Sequence, residues 1–361
     1  MIKKLLTHTA EAAIQYRQTL AGRPVGVTVT HAELLANVKK DLPETGETPE
    51  EAIQALTAGV EPGLVHNANP RYFGFVIGGA TPVSVAADWL TSVWNQNAQV
   101  YLTSPAAAVV EEIVGQWLLD LLGLPHDSGV GLVTGTQMAH FTALSVARNV
   151  VLQKQGWDAD AYGLQGAPVI NIICGECCHA TVHSAVRLMG LGTQNIRPVP
   201  ADEQGRMRLS DFKKALEICR GPTIVCVQAG NVNTGAFDPM AEIIALSKKH
   251  GAWVHVDGAF GLWAAASPRF RHLVAGVAEA DSWATDGHKW LNVPYDSGVV
   301  MIRDSVAHQN LKTAHCAYAG NTDNRFRDGS QWAPENSRRA RVCALCGAAE
   351  FGQRRRAGIG R

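Results

Sequence analysis

The sequence predicts an α/β fold built on a mostly parallel sheet, and three observations carry that reading. Between residues 129 and 302, short apolar runs alternate with helical segments, the pattern of a sheet covered by helices on both faces. The helices carry their own start and stop signals. The polar and charged residues that stand out gather at the ends of the apolar runs, where ligands of such sheets bind.

The elements follow in order. Residues 1–60 form helical pieces around a polar linker, "KKDLPETGETPEEA", in which Thr48 caps a helix opened by Pro49. In "SPAAAVVEEIVGQWLLDLLGLP", Ser104 caps, Pro105 takes the first turn, and Gly123 and Pro125 end the helix. Its predicted core face is Val110, Ile113, Val114, Trp117, Leu118 and Leu121. Then "GVGLVTG" is a strand and "MAHFTALSVARNVVLQKQG" a helix; "APVINIIC" is a strand and "HATVHSAVRLMGLG" a helix. "PTIVCVQAG" is a strand, followed by the helix "DPMAEIIALSKKHG" with Asp238 as cap and Gly251 at its end. "AWVHVDGA", "ADSWAT" and "GVVMI" complete the strands. No internal repeat is present.

Composition narrows the function. The 361 residues suit about two domains, and 46% apolar against 18% charged residues allows a sizeable core. Lys plus Arg (32) balances Asp plus Glu (32), so no basic field points to nucleic acid or a membrane surface. The first residues lack the sustained apolar region of a signal peptide. No apolar run approaches the ~20 residues of a membrane span. These features predict a soluble cytoplasmic protein. The eight cysteines are then mostly reduced thiols. Cys174/Cys177 and Cys343/Cys346 have C-x-x-C spacing, and a zinc or thiol protein using Cys174, Cys177, Cys178 and His179 is one reading; buried small hydrophobes are the other.

The chemistry concentrates in "ATDGHKWLNVPYDSG", residues 284–298. Lys289 follows a small-residue strand, and a partly desolvated amine there can act as a nucleophile. "VTGTQMAH" places Thr136 and Gln137 at a helix start, where free N–H groups suit a phosphate. Asp257 ends an apolar strand, a place where a carboxylate needs a partner; a structural salt bridge would serve as well. His179 stands at a strand–helix junction. A lysine, an acid, a phosphate cradle and a flat ring are what pyridoxal 5′-phosphate needs.

The runs "NPRYFGFVIGGATPVSVAADWL", "NTGAFDP", "HVDGAFG" and "ATDGHKWLNVPYDSG" resemble the group II pyridoxal-phosphate-dependent amino acid decarboxylases. The resemblance implies an aspartate-aminotransferase-like (fold type I) architecture, with a seven-stranded sheet in the large domain. It implies an N-terminal helical arm over 1–60, a large cofactor-binding domain over 61–305, and the start of a C-terminal small domain over 306–361. Lys289 becomes the Schiff-base lysine and Asp257 the partner of the pyridine nitrogen. Ala259 packs under the ring and His179 stacks on its other face. Thr136, Gln137 and His288 hold the phosphate, and Thr234 lies near the ring substituents. Tyr72, Phe73 and Pro82 match the substrate side. The implied reaction converts an L-amino acid to an amine and carbon dioxide in a homodimer; aminotransfer, aldol-type cleavage or oxidative deamination is the alternative. His140, Thr181 and Ser184 depart from the residues common at those positions.

After "WAPENSRRAR", the stretch "VCALCGAAEFGQRRRAGIGR" leaves the family pattern and shows no sustained helical stripe. A frameshift or truncation that replaced the small domain is the expectation; a short natural basic tail is the alternative. A missing lid would leave apolar surface in water and lower both solubility and activity.

Overall fold

Valine- and isoleucine-rich runs pair side by side when both faces can be covered, and the chain from residue 129 onward does this. The computed structural model describes residues 2–38, 45–98, 101–312, 344–350 and 352. The chain divides into two compact units, Met1–Ile77 and Gly78–Arg361.

The first unit holds α1 (Ile2–Thr19), α2 (His31–Val38) and α3 (Pro49–Val60). Thr48 and Glu51 form a reciprocal capping box, and Pro49 opens the helix as the sequence predicts. Asn69 Nδ2 donates to Leu20 O (2.6 Å), tying the end of the unit to the end of its first helix.

The second unit begins with α4 (Pro82–Trp94) and α5 (Pro105–Leu122). There follow β1 (Gly129–Val133), α6 (Thr136–Gln153), α7 (Ala159–Tyr162), β2 (Asn171–Gly175), α8 (Ala180–Leu188) and β3 (Ile196–Val199). Then come α9 (Leu209–Ile218), β4 (Thr223–Gln228), α10 (Met240–Lys249), β5 (Trp253–Asp257), β6 (Ser282–Asp286), β7 (Gly298–Ile302) and α11 (Ser305–Lys312). Among the described residues the seven strands form one sheet, ordered β1-β7-β6-β5-β4-β2-β3. Only β7 runs against its neighbours; the other pairs are parallel. The carboxyl ends of β1, β2, β4, β5 and β6 therefore share one edge.

Side chains alternate between two apolar layers. Val254 and Val256 of β5, with Val225 and Val227 of β4, pack toward residues of α5, α9 and α10. Trp253 of β5 and Ile224 and Cys226 of β4 pack toward α6 and α8. The strand period of two then puts His255 and Asp257 on the same face as Trp253, toward α6.

Three expectations change, and one strand goes unforeseen. The predicted stripe of α5 leaves Ile113 and Trp117 exposed, while Glu111, Val114, Gly115, Leu118, Leu119 and Leu122 are buried. The helix is apolar nearly all round, so periodicity leaves its rotation open. Gly115 settles it, because a Cβ there would lie 3.2 Å from Val130 Cβ of β1. Asp238 does not cap α10, whose cap is Pro239. Its carboxylate accepts from the N–H groups of Met207 (2.7 Å) and Gln228 (2.8 Å), and burial pushes its pKa up to about 6 against those bonds. The strand β3, "IRPV", carries Arg197 and Pro198 and sits at the sheet edge, where a residue without an N–H is tolerated. In the terminal stretch, residues 344–350 are helical, with Ala344 and Ala348 buried. The remainder of that stretch, and residues 313–343 of the expected small domain, lie outside the described residues.

Gly298 of β7 faces Gly135 so closely that an added Cβ would lie 2.5 Å from its backbone. We expect Gly298→Ala to destabilise the protein by about 2 kcal/mol or more in urea unfolding. At Gly123, where φ is +64° but nothing lies within 4 Å, the same change should cost only about 1 kcal/mol.

Candidate active site

Thr136, His179, Asp257, Asp286 and Lys289 all lie at or after the ends of strands on the shared edge of the sheet. A buried acid, Asp286, organises the lysine side of that edge. Its Oδ1 accepts the Thr136 N–H (2.6 Å) at the start of α6, and its Oδ2 pairs with Lys289 Nζ at 2.9 Å. His288 Nε2 lies 3.5 Å from the same Oδ1. His288 Nδ1 accepts the Ser297 N–H (3.1 Å), and its ring stacks on Tyr295 with centroids 4.3 Å apart. Burial pushes the His288 pKa down, the Lys289 charge adds to this, and Asp286 and Asp296 oppose it.

The lysine segment is clamped from outside. Asn292 O accepts the Thr81 N–H (2.9 Å) and the Ser84 hydroxyl (3.1 Å), and Asn292 Oδ1 accepts the Gly79 N–H (2.9 Å). Gly78 rests against this segment, since a Cβ there would fall 2.1 Å from Lys289 O.

At the end of β5, Asp257 Oδ1 accepts the Ala259 N–H (3.2 Å), and Oδ2 faces His140 Nε2 at 3.5 Å. The latter contact is long, and His140 Nε2 makes no closer hydrogen bond; it is an electrostatic approach more than a short bond. Burial alone would push the Asp257 pKa up. His140 through its Nε2, the Ala259 N–H and His255 outweigh it and hold the carboxyl well below the usual range. Ala259 also bridges the two acids, its carbonyl accepting the Asp286 N–H (2.9 Å).

The remaining candidates are placed as follows. His179 caps α8 and its Nδ1 lies 2.8 Å from Thr181 Oγ1. Gln137 Nε2 donates to Thr181 O (3.4 Å), which joins the start of α6 to that of α8. Thr234 lies in the turn after β4 and its hydroxyl donates to Gln204 O (2.6 Å). Pro82 is the first residue of α4. Tyr72 and Phe73 belong to the first unit, with Phe73 fully exposed.

The cysteine set predicted from C-x-x-C spacing is not the one the fold gathers. Cys178 turns inward to Cys174 (Sγ–Sγ 3.2 Å) and to His183 Nε2 (3.2 Å), whereas Cys177 is exposed and His179 is engaged at its cap. The hydrogen bond to Cys174 and burial push the Cys178 thiol pKa far up, so it stays protonated. Cys343 lies outside the described residues.

The site fits a phosphorylated pyridine aldehyde. Lys289 offers a primary amine and Asp257 an ionised acid. Thr136 Oγ1, in the first turn of α6, is buried without a partner. The Asp286 carboxylate is an internal stand-in for an anion at that helix start.

The family model for the pyridoxal-dependent decarboxylase conserved domain matches residues 32–347. The chain belongs to this family. The match includes "VCALCG", the first residues of the stretch expected to leave the family pattern. An aromatic-L-amino-acid decarboxylase from Bacillus atrophaeus is 31% identical over 309 residues, 84% of this chain and 62% of that protein. A 4-hydroxyphenylacetaldehyde synthase from Rhodiola rosea is 29% identical over 289 residues, 77% of this chain and 58% of that protein. The chain thus spans roughly three fifths of these relatives' length. The crystal structure of mouse CSAD superposes with a TM-score of 0.88 at 25% identity, covering 99% of this chain and 76% of that one.

Sequence reasoning missed Asp286 as a site residue, although it stands three positions before Lys289 in the quoted stretch. Replacing Asp286 by Ala leaves the buried Thr136 N–H without an acceptor, and we expect a loss of about 1–3 kcal/mol in urea unfolding. Asp286→Asn, which keeps an acceptor oxygen, should recover much of that stability.

Proposed function

We propose that this chain binds pyridoxal 5′-phosphate and decarboxylates an L-amino acid to the corresponding amine. The observation that carries the proposal is that Asp257 closes β5 and Lys289 follows the adjacent strand β6, both at the carboxyl edge of the sheet, in a member of this family. The bound cofactor supplies an electron-accepting ring that takes the electrons of a bond broken at the substrate Cα.

The residues divide the remaining work. Lys289 would hold the cofactor through its amine. Asp257, ionised and buried, holds a proton on the ring nitrogen. Thr136, Gln137 and His288 take the phosphate at the start of α6, where the N–H groups of a first turn favour an anion. His179 would stack on one face of the ring, Ala259 would pack under the other, and Thr234 would lie near its substituents. Tyr72, Phe73 and Pro82 match the family's substrate-side stretch. The domain reading keeps an arm over 1–60, a cofactor-binding domain over 61–305 and the beginning of a small domain from 306.

A cytoplasmic homodimer completes the proposal. No helix among the described residues is long and apolar enough to cross a membrane. Trp89, Leu90, Val93 and Trp94 on α4, with Ile113 and Trp117 on α5, are exposed; apolar residues in such number mark surfaces that another chain covers.

A second reading keeps the cofactor and changes the product. The relative named as an aldehyde synthase supports an aldehyde-forming reaction, such as oxidative deamination, among the alternatives. A panel of L-amino acids separates the two: carbon dioxide with the matching amine fits decarboxylation, whereas an aldehyde or keto acid overturns it. Lys289→Ala should abolish the visible absorption of the bound cofactor. A chromophore persisting on another lysine would overturn the assignment of Lys289.

A further inference from the structure

Behind Asp257 lies a chain of buried polar groups that no step above uses. His140 Nδ1 is 2.8 Å from His255 Nε2, with the rings edge to face at 5.1 Å. His255 Nδ1 is 2.9 Å from Ser282 Oγ, which also accepts the Trp253 indole N–H at 2.9 Å. His140, His255 and Ser282 are fully buried. The groups come from α6, β5 and β6, so tertiary packing alone assembles them.

Donor counting gives the chain a direction. An indole nitrogen can only donate, so the Ser282 oxygen accepts from Trp253 and its own proton is free for His255 Nδ1. A bare His255 Nδ1 puts the proton on Nε2, which donates to His140 Nδ1. A bare His140 Nδ1 puts the proton on Nε2, which faces Asp257 Oδ2. In the reverse order a bare His140 Nε2 lone pair would face a carboxylate, and the Ser282 proton would have no acceptor among the described residues. Burial holds His255 neutral by pushing its pKa down to about 3. The neighbouring Cys178 and Cys226 thiols have their pKa values pushed up, Cys178 by its bond to Cys174 and Cys226 by burial, and remain uncharged. Asp238, whose carboxyl burial raises, is the other acid of this region.

We propose that Trp253, Ser282, His255 and His140 form a one-way relay of neutral donors ending on Asp257, which makes His140 and His255 positioning residues for the acid that faces the cofactor ring. The proposal rests on the cofactor reading for its purpose but not for its existence. With both imidazoles neutral, Asp257 keeps its full negative charge for the protonated ring nitrogen. An imidazolium at His140 would already neutralise it.

Nitrogen-15 NMR of the imidazoles in the full-length protein, with and without pyridoxal phosphate, tests the relay directly. Both rings should be neutral with the proton on Nε2 between pH 6 and 8 (about one unit either side of neutrality). A His140 imidazolium, or a proton on Nδ1 of either ring, overturns the proposal, whether or not the cofactor binds. In the second arm, His140→Leu should weaken pyridoxal phosphate binding by about tenfold and shift the pH dependence of its absorption. His140→Gln, which returns an N–H at the Nε2 position, should restore both, and in an Asp257→Asn background the leucine change should have little further effect. Equal losses in the Leu and Gln variants, or additivity with Asp257→Asn, would mean the histidine acts only through packing and would overturn the role. Failure of the unaltered protein to bind the cofactor would instead overturn the functional reading and leave the NMR result to judge the relay.

Discussion

One buried carboxylate joins three segments that would otherwise have no reason to meet. Asp286 binds the start of α6 through the Thr136 N–H and the lysine segment through Lys289 Nζ, and its own N–H reaches the loop after β5 through Ala259 O. A carboxylate with almost no exposure is costly unless its lone pairs are taken up. The converse follows: the fold can bury Asp286 only when those partners are in place, so the site and the sheet edge form together. The glycines at 135, 287 and 298 leave room for this convergence.

Asp257 presents the same problem one strand over, solved differently. Its neighbours are a backbone N–H and a histidine, with no lysine or arginine paired to it among the described residues. The two acids therefore differ in character. Asp286 meets a formal cation, whereas Asp257 meets dipoles and retains charge to offer elsewhere. Two carboxylates on adjacent strands with opposite surroundings can serve different chemical roles, a pattern that recurs where one site must bind and also tune a ring.

Much of the fold was legible because its signals are local. Thr48 with Pro49, and Ser104 with Gly123, mark helix ends within a few residues of themselves, and continuous apolar runs mark strands buried on both faces. Lys289 and Asp257 stood out because each is a charge beside an apolar strand. What escaped was what depends on distant partners. His140 and His255 are 115 residues apart, and neither predicts the other. The rotation of α5 depends on how Gly115 meets Val130, and Asp238 chose two backbone N–H groups over the helix it precedes. The inward turn of Cys178, away from its C-x-x-C neighbour, depends on His183 one helix turn further on.

The reversal of β7 has a consequence for Lys289. Because β7 runs back along both β1 and β6, the chain between Asp286 and Gly298 is a closed excursion whose two ends are paired to each other. Gly287 and His288 N–H groups both reach Ser297 O, at 2.9 and 3.2 Å, and narrow the excursion further. The backbone freedom of the lysine is thus surrendered during folding and not at the moment of capture. What is left to search is a handful of side-chain rotamers in a small volume, so the amine meets an arriving carbonyl at a high effective molarity.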